Sequence, residues 1–376
     1  MLSQEEWGRY ARQMVLPGMG PEGQEKLKRA KVLVVGAGGL GCPVLLYLAA
    51  AGVGTLGIAD GDVVSASNLH RQVLYGTGDV GRPKAEMAAR RLREMNPLIT
   101  VAVHPAHLSG GNALALLAGY DWVVDCTDNF AARYLINDAC VLLGKPFVYG
   151  AIHRFEGQVS VFNHAGPNGE PGPTYRCLFA EPPPPDQVPN CAEAGVLGVL
   201  PGVVGLLQAT EVVKALTGNG NVLSGELLLL DLLETSFRKI RFRRTPRAAQ
   251  VTGLIDYEAF CRGVDAPPDA VRSLTVYALH DKLAAGEAVA LLDVREPHEY
   301  EVCRLDGATL MPLKQVAARA HAIPRDRPVV VYCHFGGRSE AAVRQLQAEF
   351  GFTNLYNLQG GIDAWAREID EEMERY

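Results

Sequence analysis

The chain lacks any Cys-x-x-Cys pair, and its eight cysteines are scattered without framework spacing. A tetrahedral thiolate zinc site is therefore not expected, and free thiols of this kind fit the reducing cytoplasm. Basic charge is not in excess: 36 Lys and Arg against 42 Asp and Glu give a net charge of −6. Only Arg238 to Arg247 forms a small cationic run, so no direct nucleic-acid partner is expected. The apolar run from Ala194 to Leu207 is fourteen residues long, short of the ~20 needed to cross a bilayer, and reads as a buried helix rather than a membrane span. Residues Met1 to Trp7 carry Glu5 and Glu6 and no apolar core of signal length, which argues against secretion. No internal repeat is evident. What is present is 376 residues, 48% of them hydrophobic, enough for two or three domains with real cores.

The first chemistry-bearing pattern is a strand, a glycine turn and a helix. Ala30 to Val35 is a β-branched apolar run leading into Gly36-Ala37-Gly38-Gly39-Leu40-Gly41, after which Cys42 to Ala51 reads as helix. Glycines let the backbone turn tightly and approach phosphates, and the helix N-terminus favours negative charge. Asp60, nineteen residues past Gly41 at the end of a second strand, stands where an acid bonds a ribose hydroxyl. Up to this point a nicotinamide dehydrogenase explains the whole pattern.

The residues that follow change the balance. Ser67-Asn68-Leu69-His70-Arg71-Gln72 and Gly81-Arg82-Pro83-Lys84 add two cations, Arg71 and Lys84, which a triphosphate needs and a hydride transfer does not. A further strand ends at Asp125-Cys126-Thr127-Asp128-Asn129, and ligands bind at the carboxyl ends of strands in doubly wound sheets. Asp128 has the hard oxygen donors that Mg²⁺ takes. Taken singly, Arg71 and Lys84 would read as surface cations and Asp125 as a helix cap; in this order they read as a nucleotide site.

The segment Arg9 to Gln13, the glycine loop, Asp60-Gly61-Asp62, the Asn68 to Gln72 run, Lys84, the Asp125 to Asn129 run, Glu156-Gly157-Gln158 and Cys191 to Gly195 together resemble the MoeB/ThiF family of ubiquitin-activating-like adenylyltransferases. The resemblance runs from about Arg9 to Arg243. It implies a Rossmann-like doubly wound α/β domain that binds ATP at Gly36, Gly38, Gly39, Gly41, Asp60, Asn68, Arg71, Lys84, Asp128 and Asn129. It also implies Mg²⁺ at Asp128 and a homodimer in which Arg12 reaches the partner's phosphates. The protein substrate it implies is a small ubiquitin-like sulfur carrier ending in Gly-Gly, whose terminal carboxylate attacks the α-phosphate and becomes an acyl-adenylate. Catalysis there would be positioning and charge neutralisation. One feature departs from the pattern. Such proteins commonly hold a structural zinc on two Cys-x-x-Cys pairs, whereas here Thr174 stands where the first cysteine would be, beside Cys177, and the second pair is absent near Arg247; no zinc is expected.

Cys191 follows the proline-rich run Glu181 to Asn190, whose prolines forbid helix and whose length suggests a crossover above the nucleotide. It reads either as a packed thiol or as a thiol that attacks the activated carrier or resolves a disulfide with it.

Residues 1–244 are accordingly read as one adenylation domain and 245–272, with Thr245-Pro246 and Pro267-Pro268, as a linker containing a short helix. Residues 273–376 are read as a smaller α/β domain. In the last, Pro328 to Tyr332 is a strand delivering Cys333-His334-Phe335-Gly336-Gly337-Arg338-Ser339 to a helix that starts at Ser339. Converging loop amides stabilise a thiolate or persulfide anion, and Arg338 adds positive charge. Four residues between Cys333 and Arg338 make a ring tighter than the five-residue phosphatase loop, suited to one sulfur atom. With Leu292 to Tyr300 and Leu358 to Trp365, this segment resembles a rhodanese domain over about Ser273 to Asp370. The expected catalytic set is then Arg71, Lys84, Cys191, Cys333 and Arg338. The expected activity is adenylation of the carrier followed by sulfur transfer from a Cys333 persulfide, itself charged by a cysteine desulfurase persulfide or by thiosulfate. The competing reading is a ubiquitin-like activating enzyme with a Cys191 thioester for protein conjugation. Molybdopterin, thiamine, cysteine and tRNA thiolation are all compatible pathways.

Overall fold

A computed structural model describes residues 1–166, 169–182, 195–246, 251–262, 271–284, 286–370 and 372–376. These fall into two compact units, one within residues 1–261 and the other comprising residues 262, 271–284, 286–370 and 372–376.

The first unit opens with helices α1 (Gln4–Met14) and α2 (Gly20–Arg29) and then alternates strand and helix: β1 (Lys31–Val35), α3 (Gly41–Ala51), β2 (Thr55–Ala59), α4 (Lys84–Met95), β3 (Thr100–His104), α5 (Ala113–Ala118), β4 (Trp122–Asp125), α6 (Phe130–Leu142) and β5 (Phe147–His153). It finishes with β6 (Glu156–Phe162), α7 (Tyr175–Leu178), α8 (Leu200–Thr217), the hairpin β7 (Glu226–Asp231) and β8 (Ser236–Arg241), and α9 (Tyr257–Arg262). The eight strands lie in the order β3-β2-β1-β4-β5-β6-β7-β8. The first five are parallel, as βαβ crossovers require, and β6 to β8 are antiparallel. The order reverses at β1, which pairs with β2 on one side and β4 on the other. Register sets Val35 level with both Ala59 and Asp125. The loops after β1, β2 and β4 thus leave the sheet at one height, and a crevice at such a switch point is where doubly wound sheets bind ligands.

Two packing features hold this crevice. Helix α3 is apolar along nearly its whole length and ends at Gly52, whose φ of 84° suits glycine as a cap. Val44, Leu45 and Leu48 are fully buried, each worth roughly 1.5–3 kcal/mol. Helix α8 packs on it through Gly205, where a Cβ would lie 2.5 Å from Pro43. The buried helix expected from Ala194 begins only at Leu200 and runs to Thr217, because Pro201 sits in its first turn, where a missing N–H costs nothing.

Gly41 sets the tightness of the turn. A Cβ there would lie 2.0 Å from the Gly36 carbonyl oxygen. Gly41→Ala is therefore expected to lose at least about 2 kcal/mol, a fall of roughly 4–8 °C in Tm, and to lose ATP binding with it. Gly8, on α1 with nothing within 4 Å of an added Cβ, is the control; thermal unfolding of Gly8→Ala should show unchanged or slightly raised stability.

The second unit carries a five-stranded parallel sheet in the order β11-β10-β12-β13-β9. Its elements in chain order are β9 (Ser273–Leu274), α10 (Val276–Ala284), β10 (Ala290–Asp293), α11 (Pro297–Val302), β11 (Thr309–Leu310), β12 (Val329–Tyr332), α12 (Gly337–Phe350), β13 (Leu355–Leu358) and α13 (Gly361–Glu368). Strand β12 is buried along its whole length, the mark of a central parallel strand. It delivers Cys333 directly to the N-terminus of α12. That helix starts at Gly337 rather than Ser339, because Gly336 takes φ 103° and turns the chain two residues earlier.

Candidate active site

In the first unit the loops after β1, β2, β3 and β4 enclose a cavity of about 770 Å³. Gly36, Gly38 and Gly39 form one wall, and Gly41 stands behind them, holding the turn closed. Asp60 is buried; its Oδ2 accepts from Ala37 N at 2.7 Å and its Oδ1 from Asp62 N at 2.8 Å. Burial pushes its carboxyl up, and those two N–H bonds partly offset the rise. A carboxylate has about four acceptor sites, so Asp60 clamps the glycine loop and keeps capacity for a ribose hydroxyl.

The two cations reach the same cavity. Lys84, at the first position of α4, is 6% exposed and its Nζ lies 2.8 Å from Asp62 Oδ2. Arg71 lines the cavity beside the glycine loop, its Cγ 3.7 Å from where a Cβ on Gly39 would lie, on a turn closed by bonds from Arg71 N and Gln72 N to the Asn68 carbonyl. Asn68 itself is not in the cavity wall; its carbonyl closes this turn. Asp128 and Asn129 line the cavity past the end of β4. Asn129 is also the cap of α6, its Oδ1 accepting from Ala132 N at 2.8 Å. Arg12 is exposed on α1 and is not part of the cavity wall. Cys191 lies outside the described residues.

Several wall residues escaped the sequence reading. Arg133 and the stretch Ile255-Asp256-Tyr257 line the cavity. Tyr257 is anchored by a 2.9 Å bond from its hydroxyl to Asp138 Oδ2, so a segment within the expected 245–272 linker packs on the core of this unit. Gln72 is 4% exposed, and its Oε1 is buried without a hydrogen-bond partner, an orphaned acceptor at the cavity wall that a ligand donor would satisfy. A local signal was available in Arg133, a charged residue on a helix with few polar positions (Asn137 and Asp138 being the others). The thiols beside the glycine loop are unsuited to attack: both are buried, and burial raises Cys126 well above its usual range and pushes Cys42 up to about 12. Cys177, where a zinc thiolate was considered, accepts from Thr174 N and Thr245 N at 3.4 Å each. Burial would raise it, but these bonds and the Thr174 hydroxyl bring it below its usual range. Among the described residues no group of three or more His, Cys, Asp or Glu side chains is placed to hold a metal ion.

In the second unit Cys333 sits at the floor of its loop, with Gly336 N 3.1 Å and Ser339 Oγ 3.4 Å from the sulfur. Gly361 allows α13 to close on the loop from behind; a Cβ there would lie 2.4 Å from the Cys333 carbonyl, and Ile362 N bonds that carbonyl at 2.9 Å. The Arg338 charge, expected to serve the sulfur, is paired: Nη1 and Nη2 each lie 2.7 Å from the Glu299 carboxylate.

Residues 10–251 match the ThiF family and residues 275–368 the rhodanese-like domain. The chain belongs to the ThiF family. Among the relatives of this ThiF-family chain, the probable adenylyltransferase/sulfurtransferase MoeZ of Mycobacterium tuberculosis is 49% identical over 380 residues, covering 100% of this chain and 96% of its own. The sulfur carrier protein adenylyltransferase of Thermus thermophilus is 60% identical over 266 residues, 69% of this chain and 98% of its own. The adenylyltransferase and sulfurtransferase MOCS3 of Anopheles gambiae is 44% identical, covering 100% and 90%. Among solved structures, E. coli MccB with MccA-N7isoASN superposes with a TM-score of 0.57 at 22% identity, over 70% of this chain and 76% of that one, a likeness of fold. The ThiF-family chain is thus an enzyme combining adenylyltransferase and sulfurtransferase domains, and no helix among its described residues is long and apolar enough to cross a membrane.

Proposed function

We propose that the chain adenylates the C-terminal glycine carboxylate of a small ubiquitin-like sulfur carrier and then passes it sulfane sulfur from a persulfide on Cys333. The observation that carries this reading is the convergence of Gly36, Gly38, Gly39, Asp60, Arg71, Lys84 and Asp128 on one cavity, in a chain that also presents Cys333 ringed by donors. The glycine wall leaves room for phosphates, Asp60 holds a ribose hydroxyl, and Arg71 and Lys84 neutralise the triphosphate. Asp128 makes no hydrogen bond or ion pair among the described residues and suits Mg²⁺, which when bound would supply further charge neutralisation on the phosphates. In a homodimer, Arg12 of a second copy would add a cation from outside the cavity. The carrier's carboxylate attacks the α-phosphorus and pyrophosphate leaves. The terminal sulfur of the Cys333 persulfide then attacks the acyl carbon, AMP leaves, and an acyl disulfide remains. A second thiolate attacks the Cys333 sulfur, releasing the thiocarboxylate and forming a disulfide that an external thiol reduces.

Cys191 is the thiol assigned to that last step. Cys191→Ala should keep ATP–pyrophosphate exchange and Cys333 persulfuration yet accumulate the acyl disulfide, unless dithiothreitol replaces the missing thiol. Mass spectrometry of the reaction without reductant reads the outcome. Free thiocarboxylate at the wild-type rate would show Cys191 to be a packed thiol only.

A further inference from the structure

Behind the Cys333 loop runs a chain of charges that the sulfur chemistry above does not use. Asp293 and Arg295 are fully buried and paired, with Arg295 Nη2 2.6 Å from Asp293 Oδ2. Arg295 Nη1 donates to the Tyr376 hydroxyl at 2.8 Å, and that hydroxyl donates to Glu299 Oε1 at 2.9 Å. Glu299 in turn grips Arg338 through both oxygens at 2.7 Å. The Tyr376 ring lies against His334, the residue after Cys333, with centroids 4.3 Å apart.

This arrangement bears on how Arg338 can serve a donor. Burial alone would raise Glu299; the bonds from Arg338 and Glu296 N overcome it and bring its carboxyl down to about 2, so it is ionised at neutral pH. Tyr376, anchored through Arg295 to the buried Asp293, fixes where that carboxylate sits, and Glu299 cannot easily follow Arg338 into the loop. A dianionic donor draws on the two Nη groups of Arg338 only by breaking a bidentate, charge-assisted pair, and meets the Glu299 charge as it does so.

We propose that Glu299 and Tyr376 are positioning residues that withhold Arg338 from anions, so that the Cys333 loop takes sulfane sulfur from a thiol-bound persulfide in preference to the thiosulfate dianion. The inference rests on Cys333 being the sulfur carrier. With thiosulfate, the Cys333 thiolate bonds to the sulfane sulfur, the S–S bond of thiosulfate breaks, and sulfite leaves with the electron pair as a dianion. With a persulfide R–S–S⁻, the thiolate bonds to the outer sulfur and R–S⁻ leaves carrying one charge. The first route asks for a guanidinium at the leaving group far more than the second.

The test measures steady-state sulfur transfer to cyanide by the full-length protein from thiosulfate and, in parallel, from cysteine persulfide, with Cys333→Ser as the blank. In Glu299→Gln, which keeps a side chain able to bond Glu296 N at the start of α11, the KM for thiosulfate should fall by roughly three- to tenfold, the scale of a partly buried charge-assisted pair. Tyr376→Phe keeps the ring on His334 and should shift KM the same way by less. In both, kcat should move little and the KM for cysteine persulfide should stay put. Should Glu299→Gln unfold, Tyr376→Phe alone carries the test. A thiosulfate KM that is unchanged or raised in the folded variants overturns the proposal, as does a parallel change for both donors, the mark of a purely structural role. A wild-type protein with no Cys333-dependent turnover of either donor overturns the sulfur-carrier reading and this inference with it.

Discussion

Asp128→Ala should lower carrier-dependent ATP–pyrophosphate exchange by roughly 10²- to 10³-fold, the usual scale for removing one preorganised electrostatic group from a transition state, while leaving the fold intact. The fold is expected to survive because Asp128 is exposed, makes no hydrogen bond or ion pair among the described residues, and follows β4 rather than lying within it. Its neighbour Asp125 offers the contrast. That carboxylate is fully buried, its Oδ1 holding Thr127 N at 3.0 Å and Thr127 Oγ1 at 2.7 Å, so its loss would damage the strand end itself. Far-UV circular dichroism and thermal unfolding of Asp128→Ala should match the wild type. Exchange persisting near the wild-type rate in that variant would remove Asp128 from the site.

Cys333→Ser should abolish thiosulfate:cyanide sulfur transfer and thiocarboxylate formation yet keep ATP–pyrophosphate exchange. The serine oxygen can still accept from Gly336 N in place of the sulfur, now 3.1 Å away, so the loop should keep its shape, but an alcohol at neutral pH cannot carry sulfane sulfur. The two activities separate because the described residues form two compact units, each with its own core. Loss of exchange in the same variant would show that the two chemistries are coupled.

Much of the candidate site's cavity wall was legible because its parts sit at strand ends and at glycines. β-Branched runs stop where the chain turns, and Gly36, Asp60 and Asp128 all lie within three residues of such a stop. Parallel pairing then brings those ends to one level without further instruction, as the Val35 register with Ala59 and Asp125 illustrates. The Cys333 loop was legible for the same reason, since it follows a strand buried on both faces. The proline-punctuated stretch beyond Thr245 gave no sign that Ile255 to Tyr257 would wall the cavity. Its helix is held by the bond to Asp138 and by packing of Leu254 and Phe260 on the core, contacts made across more than a hundred residues.

What the sequence by itself determined is the set of local elements, the two families of motif and the residue types at each strand end, because φ/ψ preference and hydrophobic period act over a few residues. Charge pairing belonged to the tertiary structure. Arg338 read as added positive charge for the sulfur, and the fold pairs it with Glu299, thirty-nine residues away, itself fixed by Tyr376 and by Arg295 with its buried partner Asp293. A guanidinium pairs with whichever carboxylate the fold brings near it, and that choice is made by packing at long range, where no local rule reaches.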